Sequence, residues 1–193
     1  IEGRSYAGGW WDWLSPFSLM TGLGVAVGYA LLGACWLNLK LTGGLQQRMR
    51  RLAGPLGWAS LGFVVLVSAT TPFLDPAYWQ RWFGAPHSAW LAPVPLALAF
   101  AAWRLFAGLA RGRELGPFLA ALAQFVLANL GIAISFYPNI LPPSLTIAAA
   151  AAPDTSLRFA LIGAAALLPI ILAYTGYAYW VFRGKVVPGQ GYH

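Results

Sequence analysis

The sequence predicts an all-α polytopic membrane protein with five transmembrane helices, four of which we expect to form an antiparallel four-helix bundle. Of its 193 residues, 59% are hydrophobic and only 9% are charged, whereas a soluble domain carries ~25% charged residues. The apolar residues fall in long runs that, at ~1.5 Å per residue, can each cross a hydrocarbon core of ~30 Å as a helix. The runs are too long and lack the alternation of a membrane β-barrel, so we exclude a pore barrel.

The clearest run covers residues 157–183, with no charge between Phe159 and Phe182. Tyrosines and a tryptophan crowd its second end, where amphipathic rings favour the lipid–water interface. Pro169 lies mid-span and should kink the helix, which membrane helices tolerate. The alternative, a buried helix of a large soluble protein, does not explain why the pattern recurs at 17–39, 55–73, 89–109 and 115–137.

The spans and the segments between them give a domain organisation. Residues 1–16 form an aromatic segment, with Trp10, Trp11 and Trp13 around Asp12. We expect this segment to lie at the membrane interface as a belt or a short helix, and an aromatic ligand site is the alternative. Residues 17–186 form the five-span domain, and 187–193 form a tail. We interpret 40–54, 75–88, 110–114 and 138–156 as loops, the last because its prolines forbid a continuous helix.

The basic residues predict the orientation of the spans. If the spans alternate, one side holds Lys40, Arg48, Arg50, Arg51, Arg104, Arg111, Arg113, Arg183 and Lys185, and the other holds Arg4, Arg81 and Arg158. Cytoplasmic loops carry the excess of Lys and Arg. The sequence therefore predicts a cytoplasmic C-terminus and tail, and a periplasmic aromatic segment. This distribution sets orientation rather than a groove for phosphates, so the net charge of +7 does not indicate nucleic acid as a partner.

Two sets of residues inside the spans are candidates for specific contacts. Small residues in the first span, which let helix backbones approach closely, are Gly22, Gly24, Ala26 and Gly28. Polar residues at membrane depth in the fourth span are Gln124, Asn129 and Ser135. Such polar groups ordinarily form hydrogen bonds to a neighbouring helix. The more specific alternative is that they line a path for substrate or water.

Residues that could carry chemistry are few. His87 lies in a predicted outer loop and His193 is the last residue, so neither can be an axial haem ligand at membrane depth. The single Cys35 forms neither a disulfide nor a Cys-based metal site. All acidic residues lie outside the predicted spans, which leaves no carboxylate-based proton relay. We therefore predict no catalytic, cofactor-binding or metal-binding residue in this chain.

Three stretches resemble subunit II of cytochrome bd-type quinol oxidases, including their cyanide-insensitive branch. They are WDWLSPFSLMTGLGVAVGYALLGACWLNLK at 11–40, SFYPNILPPSLTI at 135–147, and AAPDTSLRFALIGAAALLPIILAYTGYAYWVFRGKV at 151–186. The closing Gly-Tyr-His at 191–193 also fits. One departure is that Ala148 and Ala149 stand where the family usually has Trp and an acidic or polar residue.

The resemblance implies that this chain is the C-terminal part of an eight-helix subunit built as two four-helix bundles. It further implies a bacterial inner-membrane complex that oxidises quinol, reduces oxygen to water and takes protons from the cytoplasm. Haems b and d would reside in the partner, subunit I, and none would be ligated here. A structural quinone, a small single-span subunit and lipid are further partners that the resemblance allows. A helical transporter or carrier fragment is the alternative function, which the absence of intramembrane carboxylates and of a repeated broken-helix pair disfavours.

Overall fold

The computed structural model of the chain describes residues 8–84, 87–141 and 145–186, without the side chain of His87. The elements in these ranges are α1 (Pro16–Lys40), α2 (Gly43–Leu74), α3 (Pro76–Phe83), α4 (His87–Leu91), α5 (Pro93–Ala110), α6 (Leu115–Phe136), β1 (Asn139–Leu141), β2 (Leu145–Thr146), α7 (Ile147–Ala150) and α8 (Asp154–Val181). Five helical stretches are long and apolar enough to cross a membrane: α1, α2, Ser88–Ala110, α6 and α8. The prediction of an all-α polytopic membrane protein is confirmed.

The chain divides into two compact units, Ile1–Tyr137 and Pro138–His193. In the first unit, α1, α2, α5 and α6 form the predicted four-helix bundle. Each packs against two neighbours, α1 against α2 and α6, and α5 against α2 and α6. Leu41 and Thr42 alone join α1 to α2, and residues 111–114 join α5 to α6, so each of these pairs is antiparallel. The chain passes from α2 to α5 through α3 and α4. We call the end where α1 and α5 finish and α2 and α6 begin the basic end, because Lys40, Arg50 and Arg113 lie there.

A glycine lies at each of the four contacts between neighbouring bundle helices. A Cβ built on Gly24 would lie 3.1 Å from the Cβ of Phe63 across the α1–α2 contact, and one on Gly28 would lie 3.4 Å from the Phe125 ring across α1–α6. Gly57 at the α2–α5 contact and Gly108 at the α5–α6 contact are as close to their neighbours. Because lipid tails are as apolar as the helices, close packing of this kind holds membrane helices together.

The two halves of the bundle are packed differently. The half nearest the basic end holds one cluster of buried apolar side chains, contributed by all four helices: Leu31, Ala34, Cys35, Ala53, Leu105, Leu109, Ala120 and Ala121. Two aromatic pairs, Tyr29–Phe125 and Trp36–Phe118, line the contact between α1 and α6, with ring centroids 5.1 and 5.2 Å apart. The other half contains a partly open cavity, described below.

The start of α2 corrects one prediction. Residues 43–54 are helical and continue into the span, whereas we predicted a loop over 40–54. The segment LQQRMRRLA is charged, which keeps it out of the hydrocarbon, but Leu, Gln, Arg, Met and Ala are good helix formers. Only Leu41 and Thr42 separate α1 from α2. The cationic side chains therefore lie on a helix that extends past the membrane, rather than on a loop.

The prediction of an outer loop over 75–88 is also wrong, because most of the described residues in this range are helical. Asp75 caps α3 by accepting a hydrogen bond of 2.7 Å from the Ala77 N–H, and Pro76 occupies the first turn, where its missing N–H costs least. The helix ends at Phe83, before Gly84. The described part of the aromatic N-terminal segment, 8–15, forms a turn at 10–13 rather than a helix.

The second unit contains the hairpin of β1 and β2, the single turn α7, and α8. β1 and β2 pair antiparallel, with Asn139 opposite Thr146. The Thr146 side chain then caps α7 by accepting from the Ala149 N–H at 3.2 Å. The predicted break after the fourth span is confirmed, although Pro142 and Pro143 lie outside the described residues. α8 continues through Pro169, and the kink expected there stays a prediction. None of the residues of α8 is buried. Residues 187–193 also lie outside the described ranges.

Candidate functional site

The candidate site is the cavity in the half of the bundle away from the basic end. Its volume is about 780 Å³, and its walls come from all four bundle helices, with α3 and α4 at the far end. Most of the lining is apolar, for example Phe63, Val64 and Leu98. Cavities of ~300–1,000 Å³ with apolar walls and few polar groups are the usual form of small-molecule sites. At its inner end the cavity reaches Leu31 and Ala121 of the packed cluster.

Gln124 lies at the inner end of this cavity, near the middle of α6. Its side chain is 2% exposed. The amide Nε2 makes one long contact of 3.5 Å with the Ser60 hydroxyl of α2. Among the described buried side chains, the Gln124 Oε1 is the one polar atom without a hydrogen-bond partner. A buried amide is normally paired, so an unpaired oxygen on a side chain that lines a cavity marks a place where a ligand can bind.

Ser135 lies at the other end of the cavity, in the last turn of α6, and its hydrogen bonds are satisfied. Its hydroxyl donates to the Gly131 carbonyl and accepts from the Trp82 Nε1–H, both at 2.9 Å. Asn129 also lines the cavity, but its side chain is exposed and donates to the Phe125 carbonyl of its own helix at 2.9 Å. The three polar candidates therefore lie along one cavity, and Gln124 is the one among them with a buried polar atom that lacks a hydrogen-bond partner.

Arg81 of α3 closes the end of the bundle beside Ser135. Its Nη1 donates to the carbonyls of Ile134 and Ser135 at 2.9 and 2.7 Å. These carbonyls belong to the last turn of α6, where helical N–H partners are lacking and a positive charge is favoured by the helix dipole. Together with the Trp82–Ser135 bond, this contact fixes α3 across the end of the cavity.

Tyr78 packs on the inner side of the same short helix. It is 5% exposed, and its ring stacks on Phe136 with centroids 6.1 Å apart. Burial raises the pKa of the Tyr78 phenol, Asp75 raises it further, and Arg81 opposes the change. The phenol therefore stays protonated at neutral pH and serves as a packing group rather than as a base.

A second polar cluster holds the helices together at the basic end. The Gln46 Nε2 donates to the Asn38 carbonyl at 2.9 Å and to Glu114 Oε1 at 2.7 Å, which links α2 to α1 and α6. The Arg50 Nε donates to the Leu109 carbonyl at 2.9 Å, at the end of α5. Gly112 follows with φ of +70°, and a Cβ there would meet the Arg50 guanidinium at 3.0 Å. Glycine is thus required both for the turn and for this contact.

The small-residue candidates of α1 separate into two groups. Gly24 and Gly28 lie at helix contacts of the bundle, as given above. Gly22 and Ala26 are exposed in the described structure, and a Cβ on Gly22 would meet no atom within 4 Å. A contact of these two with another chain stays a prediction. Sequence reasoning missed Gly57, Gly108 and Arg81, because no local pattern distinguishes a glycine or arginine that meets a distant helix.

The described residues contain no group of three His, Cys, Asp or Glu side chains that could hold a metal ion. Cys35 is buried in the packed cluster, and α4 begins at His87. His193 lies outside the described residues. The described residues thus form a helical membrane protein with a four-helix bundle and a largely apolar, partly open cavity in it.

Comparison with known proteins identifies the family. The model of the cytochrome bd terminal oxidase subunit II family matches residues 1–182, and the chain belongs to that family. It is 26% identical to cytochrome bd ubiquinol oxidase subunit 2 of Bacillus subtilis (strain 168) over 91% of this chain and 52% of that protein. It is also 26% identical to the probable cytochrome oxidase subunit 2 of Haemophilus influenzae (strain Rd), over 94% of this chain and 56% of that protein. The chain spans about half the length of these curated relatives.

Proposed function

We propose that this chain is a non-haem-ligating membrane subunit of a quinol:oxygen oxidoreductase and that it supports assembly of the haem-bearing subunit I in aerobic respiration. One observation carries the proposal: the described acidic side chains lie at or beyond helix ends. Asp75 caps α3, Glu114 accepts from Gln46, and Asp154 opens α8. Asp12 precedes α1 and accepts from the Gly9 N–H at 2.9 Å. The spans thus offer packing surfaces but no carboxylate for proton transfer within the membrane.

The cofactors of the complex, haems b and d, would then be held by the partner. Donor chemistry supports this assignment. Membrane haem needs His, Met, Cys or Tyr as an axial ligand. Cys35 is enclosed by the apolar cluster, and Met20 lies half-buried in the first turns of α1. We infer that no residue of this chain ligates a haem, and that the complex, rather than this chain alone, performs the oxidoreductase and translocase chemistry with proton uptake from the cytoplasm.

The proposed orientation puts the basic end of the bundle in the cytoplasm of a bacterial cell, with the complex in the inner membrane and the C-terminus cytoplasmic. The excess of Lys and Arg at that end supports it. Arg81, one of the few cations at the opposite end, is engaged by the carbonyls of Ile134 and Ser135. Its charge therefore has a structural use that is independent of orientation.

The outer surfaces of the spans would contact subunit I, lipid and a small single-span subunit. Large apolar side chains are exposed on each bundle helix, including Leu23 (60%), Phe100 (60%) and Val126 (56%). Exposed apolar surface of this extent suits a hydrocarbon environment or another membrane chain. Quinol and oxygen would be substrates of the complex.

Purification through an affinity tag on this chain tests the proposal. The oxidase hypothesis predicts that a haem-containing second chain co-purifies in stoichiometric amount, identified by mass spectrometry and by haem staining of the separated chains. The transporter hypothesis predicts a preparation without haem. Membership of the oxidase family favours the first outcome.

A further inference from the structure

We propose that the bundle cavity is a binding site for an apolar molecule that carries a hydroxyl group, with the Gln124 amide as its polar anchor. The inference rests on the geometry of the first unit and does not depend on the proposed function. It joins two observations, a cavity of about 780 Å³ and an unpaired amide oxygen on a side chain that is 2% exposed and lines it.

The other buried polar groups of the cavity wall do not compete for a ligand. Thr71 is 8% exposed, and its hydroxyl donates to the Val67 carbonyl at 2.7 Å. Ser135 both donates to Gly131 and accepts from Trp82. Ser60 contacts only the far side of the same amide, at 3.5 Å. Among the buried groups of the cavity wall, the unmet hydrogen-bonding capacity therefore lies at Gln124, at the inner end of the cavity.

The amide determines which chemical group the ligand must present. As placed, the Gln124 Oε1 needs a donor. If the amide turns by half a revolution about its last torsion, the unpaired atom becomes Nε2, which needs an acceptor. A hydroxyl both donates and accepts, so it pairs with the amide in either orientation. An ether or a ketone can only accept, and a hydrocarbon can do neither.

The walls determine the rest of the ligand. Side chains such as Phe63, Val64, Leu98 and Ile132 surround the space with aliphatic and aromatic carbon. An apolar body can pack against these walls without leaving a polar group of its own unpaired. At the far end, Trp82 and Ser88 from α3 and α4 line the cavity. A molecule with its hydroxyl at Gln124 would thus extend its apolar body towards α3.

The test uses the intact oxidase in lipid nanodiscs and two photoreactive probes of equal chain length, a long-chain alcohol carrying a diazirine and its methyl ether. After irradiation, mass spectrometry measures the label on peptides from 60–72 and 121–135. Label on exposed α8 in the same sample corrects for the different partition of the two probes into lipid. We expect the corrected labelling of the cavity to be about tenfold higher for the alcohol, the ratio that corresponds to one hydrogen bond of ordinary strength.

Gln124→Met removes the proposed hydrogen bond with little change in side-chain size, because methionine is unbranched and of similar length but lacks the amide that pairs with a hydroxyl. In this variant the alcohol should label no better than the ether. Gln47→Met makes the same substitution at an exposed position of α2 that does not line the cavity, and it should keep the wild-type preference. Equal labelling by both probes in the wild type, or a preference that survives in Gln124→Met, would overturn the proposal. Competition by unlabelled long-chain alcohol but not by its ether in the wild-type complex tests the same point without any variant.

Discussion

Gly57 sets how closely α2 approaches α5. A Cβ on Gly57 would lie 3.1 Å from Leu105 Cδ2 and 3.2 Å from Phe106 Cε1. Leu105 is fully buried in the packed cluster, so its side chain has little room to move aside. The cost of such overpacking is typically ~1–3 kcal/mol.

Gly57→Ala should therefore lower the temperature at which the purified complex unfolds. Cys35 provides the readout, because it is the single cysteine of the chain and is fully buried, so its reaction with a maleimide reports opening of the bundle. Gly62→Ala on the same helix is the matched control, since a Cβ there meets no atom within 4 Å and alanine favours helix. Equal shifts for the two variants would contradict this account of the α2–α5 contact.

Arg81 acts through the two carbonyls that it binds at the end of α6. In Arg81→Gln the bidentate contact and the charge are both lost, and hydrogen bonds to charged groups contribute ~1.5–3 kcal/mol. We expect hydrogen exchange of the α3 amides to accelerate by about tenfold or more, measured by mass spectrometry. Arg158→Gln, at an exposed position on α8, should leave that exchange unchanged. Unaltered α3 exchange in Arg81→Gln would show that the contact does not hold α3 in place.

At the scale of elements, α1 is the helix that meets both α2 and α6 through glycine. Gly28→Leu would push against the Phe125 ring, which already lies 3.4 Å from the position of a Cβ. We expect less intact oxidase in the membrane but near-normal turnover per haem, because the chemistry is proposed to reside in the partner. Gly28→Ala should assemble normally, since 3.4 Å is an ordinary contact. Full assembly of Gly28→Leu with loss of turnover per haem would instead place α1 in the functional pathway.

The predicted orientation of the chain in the membrane can be tested at the start of α2. Gly44 lies in its first turn and is exposed, so a cysteine there is accessible from whichever side the basic end faces. We expect Gly44→Cys to react with a membrane-impermeant maleimide only in inside-out vesicles. The buried Cys35 keeps the background on this chain low. Labelling in intact cells with a permeable outer membrane would reverse the proposed topology.

Elements inside the membrane could be predicted from the sequence, and those at its edges could not. Within hydrocarbon, backbone groups must pair inside the segment, so an apolar run of sufficient length can only be a helix. At 43–54 and 76–83 water permits either a loop or a helix, and helix propensity decided the outcome. The same limit applies to the cavity. The sequence could single out Gln124 as a polar residue inside a span. Whether its amide finds a hydrogen-bond partner depends on where the neighbouring helices α2 and α5 lie.

The whole bundle is asymmetric along the membrane normal. Its basic half is filled by the apolar cluster and held together at its end by Gln46, Glu114 and Arg50. The opposite half contains the cavity, and Arg81 and Trp82 of α3 bind the end of α6 there.

The proposal that this chain serves a haem enzyme without binding haem is tested most directly by one measurement. The complex is purified through a tag on this chain, from wild type and from His87→Ala, and its reduced-minus-oxidised visible spectrum is recorded per mole of complex. We predict that bands of haems b and d co-purify with the chain and that their intensities are the same in the two preparations, because His87 belongs to the segment that we place outside the membrane. Absence of haem from the wild-type preparation, or loss of one haem band in an assembled His87→Ala complex, would contradict the proposal.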